Sequence, residues 1–198
     1  ARNDHQPTAI ALCLHNLAMI LYNQGEYQRA LDYNQEALAL AQQSGDKMVE
    51  SPIAHNLGLT YLMLSDFSQA LLYLQQNIQT SRELGWQRLL AFANMNLGYL
   101  LMLLGDLARA QQVLEEALVI FTNLSCLCEQ ASVLSQLGII FRLLDDTEKA
   151  YIFCSQALEI TETDNHPWQR GVALIDLGDT LVAMRRWREA HYLYEQAL

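Results

Sequence analysis

The sequence predicts an all-α solenoid of five antiparallel helix pairs, and three observations carry that prediction. Residues 56–71 read NLGLTYLMLSDFSQAL, and forty positions later residues 96–111 read NLGYLLMLLGDLARAQ. The same step runs through the chain: Leu17, Leu57, Leu97, Leu137 and Leu177 are in register, each followed by a small residue, Ala18, Gly58, Gly98, Gly138 or Gly178. Twelve positions beyond the small residue stands alanine every time, at Ala30, Ala70, Ala110, Ala150 and Ala190. A fixed period held in phase without one insertion marks a stack of repeats.

Each copy divides into two helices. Around the small residue, apolar side chains recur at helical spacing, as in Leu57, Tyr61 and Leu64; after a break, Phe67, Ala70, Leu71, Leu74 and Ile78 do the same. The copies run approximately over residues 6–45, 46–85, 86–125, 126–165 and 166–198, the last truncated. Together they make a single repeat domain, expected to be a fragment of a larger protein, since Ala1-Arg2-Asn3-Asp4 offers neither an initiator methionine nor a signal pattern.

The connectors follow from residue type. Gly25-Glu26, Ser65-Asp66, Gly105-Asp106 and Asp145-Asp146 join the helices of a pair, and their acids can meet the free amides that open the second helix. The fifth copy has Arg185-Arg186 instead. Between copies, Gly45, Gly85, Ser125 and Asn165 share one phase, where a left-handed residue ends a helix. Pro7 and Pro167 fall where a first helix opens. Pro52 is out of phase, so its helix either begins late with Ser51 as cap or is kinked. Glycine inside a helix costs about 1 kcal/mol relative to alanine, so its recurrence implies close approach, with Gly58 and its equivalents facing Ala70 and its equivalents.

Composition narrows the function classes. The net charge is −10, with two lysines and ten scattered arginines, so no basic stripe exists to release counterions from a phosphate backbone, and direct nucleic-acid binding is not expected. No apolar run reaches the ~18 residues of a membrane span. Cys13, Cys126, Cys128 and Cys154 form no disulfide framework, which suits free thiols in a reducing cytoplasm.

The pattern Leu-Gly, three residues to Tyr61 or Phe141, then two alanines in the second helix, resembles the tetratricopeptide repeat over nearly the whole chain. The family's early tryptophan is replaced by Leu14, Ala54, Asn94, Leu134 and Leu174, and its closing proline by Gln42, Arg82, Thr122 and Glu162. Without that proline the second helix runs on, which accounts for a 40-residue form. Such forms look like repeats of spindle-orientation adaptors, kinesin light chains, bacterial peptide-pheromone receptors and, most closely in texture, the sensor domains of ATP-dependent bacterial regulators of the maltose-regulon-activator type. The resemblance implies a right-handed superhelix whose first helices line a concave face. By phase that face would carry Asn16, Asn56, Asn96, Gln136 and Asp176; beside them His15, His55, Met95, Ser135 and Ile175; then Met19, Leu59, Tyr99, Ile139 and Asp179; and Tyr22, Leu62, Met102, Arg142 and Val182.

The amide row is the most suggestive of these. Asparagine is a mediocre helix-interior residue, so its recurrence implies a partner, either an extended peptide backbone or the adjacent repeat, and both readings stand. His15 and His55 lack a third ligand at the same phase, and Cys126-Leu-Cys128 lacks a second pair, so no metal or other cofactor is expected. Asp145-Asp146 and Glu115-Glu116 read as solvated structural charges, and Tyr22, Tyr61, Tyr99 and Trp187 as packing residues. No phosphate-binding loop is present, and no catalytic constellation. The expected function is that of a non-enzymatic, cytoplasmic module binding a protein or peptide segment, as the sensor or interaction domain of a larger bacterial regulator. The alternative is a scaffold that forms homo-dimers through a terminal repeat exposing Leu193, Tyr194 and Leu198.

Overall fold

The computed structural model describes residues 5–164 and 166–198; Asn165 and the opening residues 1–4, on which two of the expectations above fall, lie outside them. Among the described residues are ten α-helices and no strand. They are α1 His5–Asn23, α2 Tyr27–Ser44, α3 Lys47–Met63, α4 Phe67–Leu84, α5 Gln87–Leu103, α6 Leu107–Asn123, α7 Leu127–Leu143, α8 Thr147–Asp164, α9 Pro167–Ala183 and α10 Trp187–Ala197. The chain forms two compact units, one ending at Leu100 and the other beginning at Leu101, so that the division falls within α5.

A left-handed residue stops one helix after another. Gly25, Gly45, Gly85 and Gly105 take positive φ at no steric cost, and Ser65, Ser125, Asp145 and Arg185 take it with a Cβ. The next helix then opens on an acid: Asp66 accepts from the Gln69 amide at 3.1 Å, Asp106 from Arg109 at 3.3 Å and Asp146 from Lys149 at 3.2 Å. Glu26 does not cap, contrary to expectation. One methylene longer, its carboxylate pairs with the Arg29 guanidinium.

Pro167 is the first residue of α9, and Pro7 lies in the first turn of α1. Helix α3 does not begin late at Pro52. It starts at Lys47, with the Asp46 side chain accepting from the Met48 amide at 3.0 Å, and continues through the proline. The bond that Pro52 cannot donate would have ended on the carbonyl of Met48, a residue 67% exposed, where water can replace it. Ser51 is not a cap: it is buried, and its hydroxyl and carbonyl both accept from Asn77.

In the first unit α1 packs on α2 and α3, α2 on α3, and α3 on α4. Its core joins Leu31, Leu38, Val49, Ile53 and Leu57. In the second unit α7 packs on α8 and α9, and α9 also on α8 and α10, around Leu134, Ala157 and Ala173 and around Cys154, Leu177 and Leu181. The helix glycines are contact points, but their main partners lie one turn beyond the predicted alanines. A Cβ on Gly58 would sit 3.1 Å from Leu74 Cγ, one on Gly138 2.3 Å from Cys154 Sγ, and one on Gly178 2.6 Å from Tyr194 Cε1. At Gly138 the Ala150 carbonyl oxygen, 3.4 Å away, is also among the nearest atoms. Tyr194, expected to be exposed, is therefore half-buried over Gly178, as is Leu193 nearby, whereas Leu198 is fully exposed.

Candidate functional site

The first helices α3, α5, α7 and α9 each keep a stripe open to solvent. On α3 it runs Met48, Pro52, Asn56, Leu59 and Met63, and on α5 Arg88, Phe92, Asn96 and Tyr99. On α7 it runs Cys128, Ser132, Gln136, Ile139 and Leu143, and on α9 Trp168, Val172, Asp176, Asp179 and Ala183. Steps of four and three residues keep these side chains on one face. Of the predicted residues, Asn56, Asn96, Gln136, Asp176, Met95, Leu59, Met102 and Arg142 are half-buried and Asn16 and Tyr99 exposed. His15, His55, Ser135 and Leu62 are buried and turn into the packing, so His55 is not part of an open wall. Sequence reasoning missed the N-terminal end of the stripe. Stepping back by four from Asn56 and Asn96 would have found Pro52, Met48, Phe92 and Arg88.

Two hollows lie on this face of the first unit. One of about 550 Å³ between the openings of α3 and α5 is lined by Met48, Pro52, Trp86, Gln87, Arg88, Leu89 and Phe92. It is almost wholly apolar, with the Arg88 guanidinium 5.8 Å from the Phe92 ring centroid. The other, of about 210 Å³, is lined by Met19, Tyr22, Asn23, Asn34, Asn56, Leu59 and Thr60. Tyr22 packs edge-on against Tyr27 and Tyr61 stacks on Tyr73, as packing residues should, but Tyr99 and Trp187 stand in solvent at 43% and 59% exposure.

Two members of the amide row have partners in the adjacent repeat. Asn56 Nδ2 lies 3.4 Å from His15 Nε2, and Asn96 Nδ2 lies 3.3 Å from His55 Nε2. Behind the rings, Asn34 Oδ1 is 3.1 Å from His15 Nδ1, and Asn77 acts on His55 while giving its own Nδ2 to Ser51. Burial holds His15 below its ordinary range, against the Asn34 bond. His55 is held down to about 4, by burial first, with the Asn77 bond opposing and the charge of His15 adding to the shift.

The second unit makes the same link with different chemistry. Asp176 has its carboxyl raised by burial, with the Ser135 side chain and Arg142 opposing and Asp179 adding. Arg142 pairs with Asp179 at 3.4 Å, and the Tyr194 hydroxyl donates to Asp179 at 2.7 Å. Arg142 Nε and Gln136 Oε1 are buried with no hydrogen-bond partner among the described residues. Cys154, beside Thr180 Oγ1 at 3.6 Å, is pushed up to about 11 by burial, which makes it a poor nucleophile at neutral pH. Among the described residues no three His, Cys, Asp or Glu side chains gather as metal ligands, and no helix is long and apolar enough to cross a membrane.

Solved structures agree with this architecture at low sequence identity, which bears on the fold alone. BtubC (BKLC) from P. vanneervenii superposes with a TM-score of 0.84 at 22% identity, over 99% of this chain and 81% of that one. NprR in complex with its cognate peptide NprX gives 0.77 at 16%, over 97% and 56%. A signal transduction ATPase with numerous domains and a tetratricopeptide repeat sensor, from Pyrococcus horikoshii, gives 0.76 at 18%, over 93% and 28%. No curated protein matches the sequence significantly. The tetratricopeptide repeat model matches residues 8–83 and 129–198, and a second model of the same repeat matches residues 93–120. With most of its length covered in this way, the chain belongs to the tetratricopeptide repeat family.

Proposed function

We propose that this chain is a non-enzymatic interaction module that binds a peptide or protein segment along the open stripe of its first helices. The observation that carries the reading is the 550 Å³ apolar hollow of the first unit, whose Pro52 and Phe92 lie one helical turn before Asn56 and Asn96. An apolar side chain of the ligand fills the hollow, and polar groups on the same stripe fix its register. The face is taken to be the concave one, and the module to be the sensor or interaction domain of a larger bacterial cytoplasmic regulator. The solved likenesses that support this are NprR in complex with its cognate peptide and a sensor-bearing ATPase. A ligand that favours one curvature of the repeats over another can bias an attached effector.

Selection of a random peptide library on the immobilised chain, followed by titration of the best peptide, tests this. Phe92→Asp should weaken that peptide at least tenfold, and Leu72→Asp, on an exposed second-helix position, should leave it within twofold. Equal loss in both, or loss only in the second, contradicts the proposed face.

One observation favours the scaffold reading as a second possibility. On α1, Leu17 and Ile20 are 39% and 55% exposed at the phase where Leu57 and Thr60 are wholly buried, and Trp187 and Leu198 are exposed at α10. Light scattering across concentration measures it: a mass doubling that Ile20→Glu abolishes supports self-association, and a constant monomer mass rejects it.

A further inference from the structure

We propose that His15 and His55 are positioning residues that set which way the Asn56 and Asn96 side-chain amides face. With one Nδ2 hydrogen committed to the ring, Oδ1 is turned toward the ligand side, so this stripe accepts the N–H groups of a bound segment. This rests on the peptide-binding reading for the ligand, and on the protein alone for the orientation.

The direction of the hydrogen bonds is fixed from the buried end outward. The Ser51 main-chain carbonyl can only accept, and Asn77 Nδ2 lies 2.8 Å from it and 2.9 Å from the Ser51 hydroxyl oxygen. Asn77 must therefore turn its Oδ1 away from Ser51. That oxygen and His55 Nδ1 are both buried and neither makes a hydrogen bond of ordinary geometry among the described residues, while Asn77 is the side chain that acts on the ring from behind. By analogy with His15, whose Nδ1 meets the Asn34 oxygen directly, Asn77 accepts from the His55 ring and Nδ1 carries the hydrogen of the neutral imidazole. Nε2 is then the lone-pair nitrogen, and the group 3.3 Å from it must donate, as Asn96 Nδ2 can and Asn96 Oδ1 cannot.

The same order repeats forty residues earlier. Asn34 is 1% exposed, and its Oδ1 lies 3.1 Å from His15 Nδ1. His15 Nε2 is thereby an acceptor, and Asn56 Nδ2 meets it at 3.4 Å. Reversing the Asn96 amide sets two lone pairs against each other across the contact, or reverses the whole relay and takes a donor from the Ser51 carbonyl; reversing the Asn56 amide sets two lone pairs together unless buried Asn34 turns with it. A solvent-exposed asparagine flips freely; these two are held by a chain of bonds that begins in the core.

Ring tautomers report this without a ligand. Long-range ¹⁵N–¹H spectra of the labelled chain at neutral pH, assigned with His15→Gln and His55→Gln, should show both rings protonated at Nδ1, with coupling across the bond from Asn96 Nδ2 to His55 Nε2. Protonation at Nε2 of either ring overturns the assignment for that amide. For the ligand, each main-chain amide of a library-selected peptide is replaced in turn by an ester, which deletes one N–H. One or two replacements should cost at least tenfold on the wild type and under twofold on the Asn56→Ala, Asn96→Ala double variant. His55→Gln, whose side-chain oxygen can still accept from Asn96, should retain the ester penalty, and His55→Ala should lose it. An ester penalty of the same size in the His55→Ala variant overturns the positioning role. If no selected peptide binds while the tautomers are as stated, the peptide reading fails and the orientation stands.

Discussion

The two units solve one problem with two chemistries. In each, a polar side chain of one first helix bonds the residue 41 positions on, at the edge of the open stripe of the next. The first unit uses neutral groups, His15 with Asn56 and His55 with Asn96. The second uses Ser135 with Asp176, beside the Arg142–Asp179 pair. A repeat fixes where a polar link must fall, since a half-buried amide or carboxylate needs a partner, but not whether that link carries charge. What differs is the response to protons. The neutral links are lost when a ring protonates, and the acidic one is relieved when a carboxyl does.

The largest expected effect follows from that difference. His55 titrates at 6.5 in the unfolded chain and at about 4 in the folded one, so below pH 6.5 the unfolded chain binds the extra proton. Stability from this residue is complete above that value and is lost as the pH falls toward 4, by about 3 kcal/mol in all. Asp176 has the opposite sign. Its folded pKa is raised, so the folded chain takes up the proton first, and the second unit gains as pH falls through the window between the raised value and 3.8. Hydrogen exchange at pH 7 and pH 4.5, corrected for intrinsic rates, should show protection falling in α3 and not in α9. Equal loss in both units breaks the comparison.

A smaller effect separates the units by packing. A Cβ on Gly138 overlaps the Cys154 sulfur, whereas one on Gly58 meets the Leu74 side chain at 3.1 Å and its main-chain nitrogen at an ordinary 3.5 Å. Gly138→Ala should cost about 1–3 kcal/mol in denaturant unfolding despite the better helix propensity of alanine. Adding Cys154→Ala should recover part of that cost. Gly58→Ala should lie within about 1 kcal/mol of neutral, the propensity gain offsetting the crowding. Smallest, and opposite in sign, is Gly171→Ala in α9. Nothing lies within 4 Å of its new methyl, so the variant should gain about 0.5–1 kcal/mol.

How much of this was legible depended on whether a property belongs to one helix or to two. The period, the helix pairs, the left-handed stops at Gly45 and Gly85 and the caps at Asp66 and Asp106 are local, and residue type declares them. The partner of Gly58 is set by how two helices are rotated against each other, and phase counting placed it one turn short of Leu74. Of the two readings of Pro52 the late start failed, because a missing donor is cheap wherever the orphaned carbonyl, here that of the exposed Met48, reaches water. His15 and His55 were visible as a matched pair, but only the positions of Asn34 and Asn77 on the second helices reveal that the rings serve the amides.

The claim that the open stripe of the first helices is the ligand-binding face is tested most directly by mapping where a bound peptide touches the chain. A library-selected peptide carrying a photoreactive phenylalanine analogue at each position in turn should give adducts on Met48, Phe92, Leu59 or Tyr99, the accessible apolar residues of α3 and α5. Adducts concentrated instead on Leu72, Val119 or Ile152, exposed on the second helices, would contradict it.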